Sequence, residues 1–134
     1  HELGLAIAHT QYHKHGAYVL ANADLPGFSK TEQTLLAALV RGHRRKLPLD
    51  IFTQLPGAQA ERALRLCLLL RLACALHRVR MRKPLPPLAL IARERELQLG
   101  FPSGWLDEHP LTRADLAAEA DFFAAARCRL TLDE

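Results

Sequence analysis

Several features that identify common protein classes are scarce in this 134-residue chain. Its three cysteines form no CxxC pair and are odd in number, which argues against a disulfide framework or a zinc ribbon. The most apolar run, residues 63–76, contains two arginines and is shorter than the ~20 residues of a membrane-spanning helix. The start lacks the pattern of a secretory signal. We therefore expect a protein of the reducing cytoplasm that does not enter a membrane.

The sequence is also poor in catalytic motifs. Its seven glycines are scattered singly, so there is no glycine-rich phosphate loop, and neither GxSxG nor HExxH occurs. Only five carboxylates precede residue 84, and a hard divalent cation needs carboxylate ligands, so such a site is disfavoured there. Aromatic residues make up 6% of the chain, which disfavours recognition of nucleic acids through base stacking. From the residues alone we assign neither a catalytic residue nor a metal ligand.

What the chain does have is a core-forming composition and an uneven charge. Apolar residues make up 49% and charged residues 24%, which indicates a globular protein. Residues 1–83 contain thirteen Lys or Arg and five Asp or Glu, a balance of +8, whereas residues 84–134 contain five and nine, a balance of −4. The proline-rich sequence KPLPP at 83–87 allows no helix to run through it. We therefore predict two domains, residues 1–83 and 84–134.

The two predicted domains differ in their periodicity, and together they indicate an α+β fold. In the first, the sequence SKTE at 29–32 is typical of a capping box, and apolar spacing predicts helices over 13–23, from 30 to about 42–46, and over 58–79. The helix over 58–79 is apolar almost all round and should be central, with Cys67 and Cys74 as buried small hydrophobes. In the second domain, the pattern predicts strands over 88–92 and 96–101 joined by a loop at 93–95. It then predicts a helix over 112–126, capped near Thr112, and a last strand over 129–132. That order predicts a small β-β-α-β domain with an antiparallel sheet.

Basic residues of the first domain cluster at or near two predicted helix C-termini. Arginine forks match phosphate oxygens in pairs and lysine adds point charge, so clusters on neighbouring helices predict a groove for a phosphate polyanion. Solvation, together with a helix dipole that favours cations at C-termini, is the alternative explanation. The residues expected to contact the polyanion are Arg44, Arg45, Lys46, Arg71, Arg78, Arg80 and Lys83, with His15 and His43 as secondary donors.

Four stretches, taken in order, resemble the C-terminal half of the exopolyphosphatase/guanosine pentaphosphate phosphatase family. They are HELG at 1–4, HKHGAYVLANADLPGF at 13–28, LRLA at 70–73 and FPSGWL at 101–106. The most specific part is DLPGFS at 24–29, which precedes the capped helix. The resemblance covers essentially the whole chain, and the run HRRK at 43–46 is more similar to the exopolyphosphatase branch.

The resemblance implies a function for the protein from which this chain comes. Such enzymes remove terminal orthophosphate from inorganic polyphosphate with Mg²⁺, in the cytoplasm and usually as dimers. Their phosphate loops and catalytic carboxylate lie in N-terminal actin-like domains. This chain starts at His1 rather than Met, and we expect it to be a C-terminal piece. It would comprise the C-terminal portion of an HD-like helical domain and a small α/β domain, without catalytic residues or a cofactor of its own.

The same resemblance implies a degenerate HD-type metal site. His1 and Glu2 fall where HD phosphohydrolases carry His-Asp, and His15 and His43 fall where further histidines follow. The closing aspartate is expected after the LRLA run, where this chain has Cys74 and, three residues on, His77. With that carboxylate absent and the first acid a glutamate, we expect the architecture of the site without a metal.

These inferences predict a catalytically inert part of an exopolyphosphatase-like phosphohydrolase that binds inorganic polyphosphate and contributes to a homodimer. Three alternatives stay open. The chain could belong to a guanosine pentaphosphate phosphatase, it could be a free-standing HD-type metal phosphohydrolase, or it could be a nucleic-acid-binding accessory domain. Metal analysis and competition between RNA and polyphosphate of equal charge distinguish the last two from the expected function.

Overall fold

A computed structural model describes residues 2–77 and 84–134, which form two compact units, His1–Arg71 and Leu72–Glu134. The division falls inside a helix. The predicted domain boundary between residues 83 and 84 borders residues 78–83, which lie outside the described part of the chain, and it stays a prediction. The prediction that no helix runs through the proline-rich segment agrees with residues 84–88, which belong to neither a helix nor a strand. In the part of the chain that the structure describes, no helix is both long and apolar enough to span a bilayer.

The first unit is helical. A 3-10 helix at Leu3–Ala6 precedes α1 (Tyr12–Asn22), α2 (Lys30–Gly42), α3 (Leu49–Thr53) and the first part of α4 (Gly57–Leu76). The three helices predicted here are confirmed, and α1 packs against α2. The capping box is confirmed as well: the Ser29 hydroxyl accepts from the Glu32 backbone N–H, and the Glu32 carboxylate accepts from the Ser29 backbone N–H at 2.7 Å.

Helix α4 buries one stripe rather than its whole circumference. Residues spaced by three or four, including Ala63, Cys67 and Arg71, are buried, whereas Leu66 is 47% exposed on another face. The helix was predicted to be central because it is apolar almost all round, but part of that apolar surface is exposed. Cys67 is fully buried, as predicted, while Cys74 is only partly covered.

The second unit contains a three-stranded sheet of order β1-β2-β3. Its elements are β1 (Ala89–Ala92), β2 (Glu96–Gly100), α5 (Trp105–Glu108), α6 (Pro110–Ala125) and β3 (Arg129–Asp133). The β1–β2 hairpin is antiparallel and closes through the predicted loop, with the Arg93 N–H donating to the Glu96 carbonyl. Leu97 and Leu99 of β2 are buried, as their alternation predicted.

Two details of the second unit correct the sequence prediction. Strand β3 pairs with β2 in parallel, so the sheet is mixed rather than antiparallel. The chain between them carries α5 and α6, and a connection of that length lets the strand return in the same direction. Helix α6 begins at Pro110, a residue suited to the first helical position, and the expected cap Thr112 is instead a buried residue inside the helix.

Candidate functional site

The predicted polyanion residues of the first unit centre on the loop that follows α2. We call residues 43–46 (HRRK) the basic loop. Arg45 and Lys46 are exposed, Arg44 is partly covered, and the next residue, Leu47, is buried. Arg45 adopts a left-handed backbone conformation with φ of 59°. The loop thus turns sharply between the end of α2 and the buried Leu47, and the Arg45 and Lys46 side chains are left in solvent.

The buried Arg71 side chain fixes the backbone of the basic loop through hydrogen bonds. It is 1% exposed, and its guanidinium donates to the carbonyl of Gly42 at 2.6 Å and to the carbonyl of Arg45 at 2.9 Å. A planar fork with several donors suits this bridging of two carbonyl groups. The sequence predicted Arg71 as a polyanion contact, whereas the structure gives it a positioning role. We therefore omit it from the proposed contact surface.

Three rings lie between α1 and the basic loop. The ring centroids of His13 and His43 are 6.4 Å apart, and Tyr12 lies 5.9 Å from His43. The Arg44 guanidinium sits 4.7 Å above the Tyr12 ring, a cation–π contact that orients the arginine against α1. His43 is 2% exposed, and its Nδ1 lies 2.7 Å from the Val40 carbonyl oxygen. The predicted role of His43 as a surface donor therefore has no support in its position.

The electrostatics of this region are strongly positive. The pKa of His13 is lowered from 6.5 to about 4, chiefly by burial and then by the nearby groups Arg41, His43, Arg44 and Lys14. Burial also lowers the pKa of His43, against the opposing effect of its hydrogen bond with the Val40 carbonyl. Both imidazoles are therefore neutral near pH 7, so the positive field comes from the arginine and lysine side chains.

The positions implied by HD phosphohydrolases are divided between the two units. Glu2 is exposed and His15 is partly covered in the first unit, and Cys74 and His77 belong to the second. His1, Arg78, Arg80 and Lys83 lie outside the described residues. Within residues 2–77 and 84–134, no group of three His, Cys, Asp or Glu side chains has a geometry that could hold a metal ion.

The rings near the basic loop do not fit the Mg²⁺ that the family resemblance implies for the whole enzyme. Magnesium prefers oxygen ligands in an octahedral arrangement, usually with carboxylates. The groups that act on His13 are cationic or neutral instead: Arg41, His43, Arg44 and Lys14. A positive field of this kind repels a divalent cation and attracts an anion, so the surface is suited to holding phosphate groups.

Sequence reasoning missed the parts played by Tyr12 and His13. His13 is 3% exposed, and its Nδ1 has no hydrogen-bond partner among the described residues. A signal was available, because His13 shares a helical face with Gly16 and Ala17 at spacings of three and four residues, and both are buried. Tyr12 gave no such signal, since its contact with Arg44 joins two residues far apart in the sequence.

Comparison with known proteins is consistent with the motifs above. Residues 1–120 match the family described as Ppx/GppA phosphatase, domain III. A guanosine-5'-triphosphate,3'-diphosphate pyrophosphatase from Pseudoalteromonas translucida is 40% identical over 120 residues, which are 90% of this chain and 24% of that protein. Proteins of the same name from Aeromonas hydrophila and Pseudoalteromonas atlantica are 36% and 37% identical over 90% and 89% of this chain. The chain thus spans about a quarter of the length of these relatives.

Proposed function

This chain belongs to the Ppx/GppA phosphatase family, and we propose that its first unit binds the phosphate chain of the substrate of a larger phosphohydrolase. The observation that carries the proposal is the basic loop, whose exposed Arg45 and Lys46 lie on a backbone that Arg71 fixes. Its partly covered Arg44 is held against Tyr12. Arginine side chains held in this way lose little freedom on binding phosphate oxygens.

The proposed contact set is Arg44, Arg45 and Lys46, together with Lys14 and Arg41, whose charges reach the same region. His15 stays a candidate donor because it is only partly covered. The phosphate chain supplies a high density of negative charge and needs no aromatic platform. The single tyrosine here is covered by a guanidinium, which favours a phosphate chain over the bases of a nucleic acid.

Inorganic polyphosphate is our first candidate substrate, because HRRK at 43–46 is more similar to the exopolyphosphatase branch of the family. A second candidate is a guanosine phosphate, which is favoured by the names of the relatives. The two share the phosphate chain and differ in the guanosine. Competition of guanosine 5'-triphosphate 3'-diphosphate against polyphosphate of matched phosphate concentration distinguishes them, since only a guanosine site prefers the nucleotide.

The test is a titration of residues 1–134 with long-chain polyphosphate at two salt concentrations. Binding through ion pairs releases counterions, so the association constant should fall steeply as the salt concentration rises. In a plot of the logarithm of that constant against the logarithm of salt concentration, the slope should be about −0.7 to −0.9 for each phosphate contact. The double variant Arg44→Gln/Arg45→Gln removes two contacts and should make that slope shallower by roughly 1.4 to 1.8. Arg62→Gln, which removes an exposed charge from α4, is the control. Salt-independent binding, or equal slopes for both variants, contradicts the proposal.

Self-association is the second part of the proposed function. The family resemblance implies a homodimer in the cytoplasm, and sedimentation of the chain over a range of concentrations measures the oligomeric state directly. A monomer at every concentration contradicts a dimerising role for these residues. Preference for RNA over polyphosphate of equal charge favours the alternative of a nucleic-acid-binding domain.

A further inference from the structure

A second concentration of positive charge lies in the second unit, far along the sequence from the basic loop. We call it the arginine cleft: a depression of about 500 Å³ lined by Arg93, Glu94, Arg95, Glu96, Arg127, Cys128 and Arg129. It lies at one end of the sheet, where the β1–β2 hairpin loop meets the turn between α6 and β3. The Arg129 N–H donates to the Arg95 carbonyl at 2.8 Å and ties the two segments together.

The cleft contains most of the basic side chains of residues 84–134, a region that is acidic as a whole. Residues 84–134 have five basic and nine acidic side chains, and four of those five basic side chains line the cleft. The fifth, Arg113, forms ion pairs with Asp107 and Glu134 elsewhere in the unit. None of the four cleft arginines has an ion pair among the described residues, and all four are exposed. With Glu94 and Glu96 counted, the lining carries a formal charge of +2.

The backbone at Arg127 gives a second, independent indication. Helix α6 ends in a Schellman motif, in which the Cys128 N–H donates to the Phe123 carbonyl and the Arg127 N–H to the Ala124 carbonyl. The left-handed position of this motif is normally glycine, because a Cβ is disfavoured there. Here it is Arg127, with φ of 57°. The chain therefore has an arginine at a position where glycine would make the backbone more stable. Backbone strain of this kind is common at functional sites.

We propose that the arginine cleft binds a short phosphate chain, as a site of its own in the second unit. Four guanidinium forks can each meet phosphate oxygens in pairs, and the volume lies within the roughly 300–1,000 Å³ of small-ligand sites. The lining contains no aromatic side chain on which a base could stack. The recognised group is therefore the phosphoanhydride chain, whether it is inorganic or the triphosphate of a nucleotide. The inference does not rest on the proposed function of the basic loop.

Cys128 supplies a reporter specific to the cleft. Its thiol lies between Arg127 and Arg129, is partly accessible, and donates only a long contact of 3.6 Å to the Ala126 carbonyl. Alkylation of Cys128 by iodoacetamide, followed by peptide mass spectrometry on residues 1–134, should slow at least threefold in saturating tripolyphosphate. Cys74, in the same unit but outside the cleft, is the internal reference, and its rate should not change.

Three ligands identify the recognised group. Tripolyphosphate and guanosine 5'-triphosphate should protect Cys128 at similar concentrations, and orthophosphate should protect it more weakly. If neither tripolyphosphate nor guanosine 5'-triphosphate protects Cys128, the proposed site is overturned. Protection by the nucleotide alone overturns the assignment of the phosphate chain as the ligand. Protection that survives Arg44→Gln/Arg45→Gln shows that the cleft binds without the basic loop, whereas its loss in that variant overturns the cleft as a separate site.

The decisive variant is Arg127→Gly. It should raise the tripolyphosphate concentration needed for half-protection about tenfold, the effect of one charge-assisted hydrogen-bonded pair. Its melting temperature should be unchanged or higher, because glycine relieves the left-handed strain. Arg113→Gln removes one charge from the same unit outside the cleft and should leave protection unchanged. Unaltered protection in Arg127→Gly, or a melting temperature that falls together with affinity, overturns the inference.

Discussion

At the scale of single residues, burial separates side chains that look alike in the sequence. Arg44, Arg45 and Arg71 all belong to basic clusters, yet Arg71 is enclosed and supports the loop on which the other two lie. The sequence predicted a basic cluster at or near the C-terminus of a helix, and residues 43–46 directly follow the end of α2. It could not assign the inner arginine, because that role depends on a contact with Gly42, 29 residues away along the chain.

His13 gives a prediction about pH. Its pKa in the folded chain is about 4, below the ordinary 6.5, so the unfolded chain binds more protons between those values. The stability due to a neutral His13 is therefore complete above about pH 6.5 and is lost as the pH falls through 4. The loss should reach roughly 3 kcal/mol. Urea unfolding followed by far-UV circular dichroism at pH 7, 5.5 and 4 measures it.

The comparison that isolates this effect is with His13→Gln. The variant should lose clearly less stability than the wild type between pH 7 and 4, because it has no imidazole to protonate. His9→Gln, at an exposed position, should behave like the wild type. His43 also has a lowered pKa and leaves some acid sensitivity in both variants. Identical pH profiles for wild type and His13→Gln refute the prediction.

At the scale of elements, local signals were sufficient where the structure depends on local chemistry. The capping box at Ser29 and Glu32, the hairpin loop after β1 and the alternation of Leu97 and Leu99 are all formed within a few residues. The direction of β3 was not predictable in this way, because a strand that alternates pairs equally well in either orientation. The short helices α3 and α5 have five and four residues, too few to show a helical period.

The packing of α2 against α4 gives a prediction at this scale. Gly42 ends α2, and a Cβ added there would lie 2.7 Å from the Cys67 Sγ and 3.3 Å from the Phe52 Cζ. Gly42→Ala should therefore destabilise the chain by about 1–3 kcal/mol, as overpacking does. Any gain in helix propensity from alanine is at most about 1 kcal/mol and acts in the opposite direction. Urea unfolding measures the difference.

A double-mutant cycle tests the assigned cause. Cys67→Ala removes the sulfur that the new methyl would meet, so Gly42→Ala/Cys67→Ala should be more stable than the sum of the single effects by about 1 kcal/mol. Additive effects would show that the two positions do not interact. An unchanged or raised stability in Gly42→Ala alone would contradict the close packing between these helices.

At the scale of the whole molecule, the formal charge of +4 conceals two separate positive regions. Counting along the sequence predicted only the first of them, in residues 1–83, because residues 84–134 have a balance of −4. The fold changes that view, because the hairpin loop and the α6–β3 turn bring four arginines together at one end of the sheet. Those arginines come from sequence segments about thirty residues apart, and only the parallel pairing of β2 with β3 makes them neighbours.

The continuity of α4 gives the last prediction. The two units divide between Arg71 and Leu72, inside one uninterrupted helix, and both of these residues are buried. Because helix formation is cooperative, loss of the first unit should shorten the helix that continues into the second. We therefore expect both units to unfold in one transition.

Trp105, the only tryptophan, reports on the second unit through its stacking on Phe101 and His109. Gly42→Ala alters only the first unit, yet it should lower the melting temperature read from Trp105 fluorescence by as much as that read from circular dichroism. For a loss of 1 kcal/mol the shift is roughly 4 °C. Leu111→Ala, at an exposed position of α6, should leave both readings unchanged. A Trp105 transition that does not move in Gly42→Ala would mean that the units unfold independently despite the shared helix.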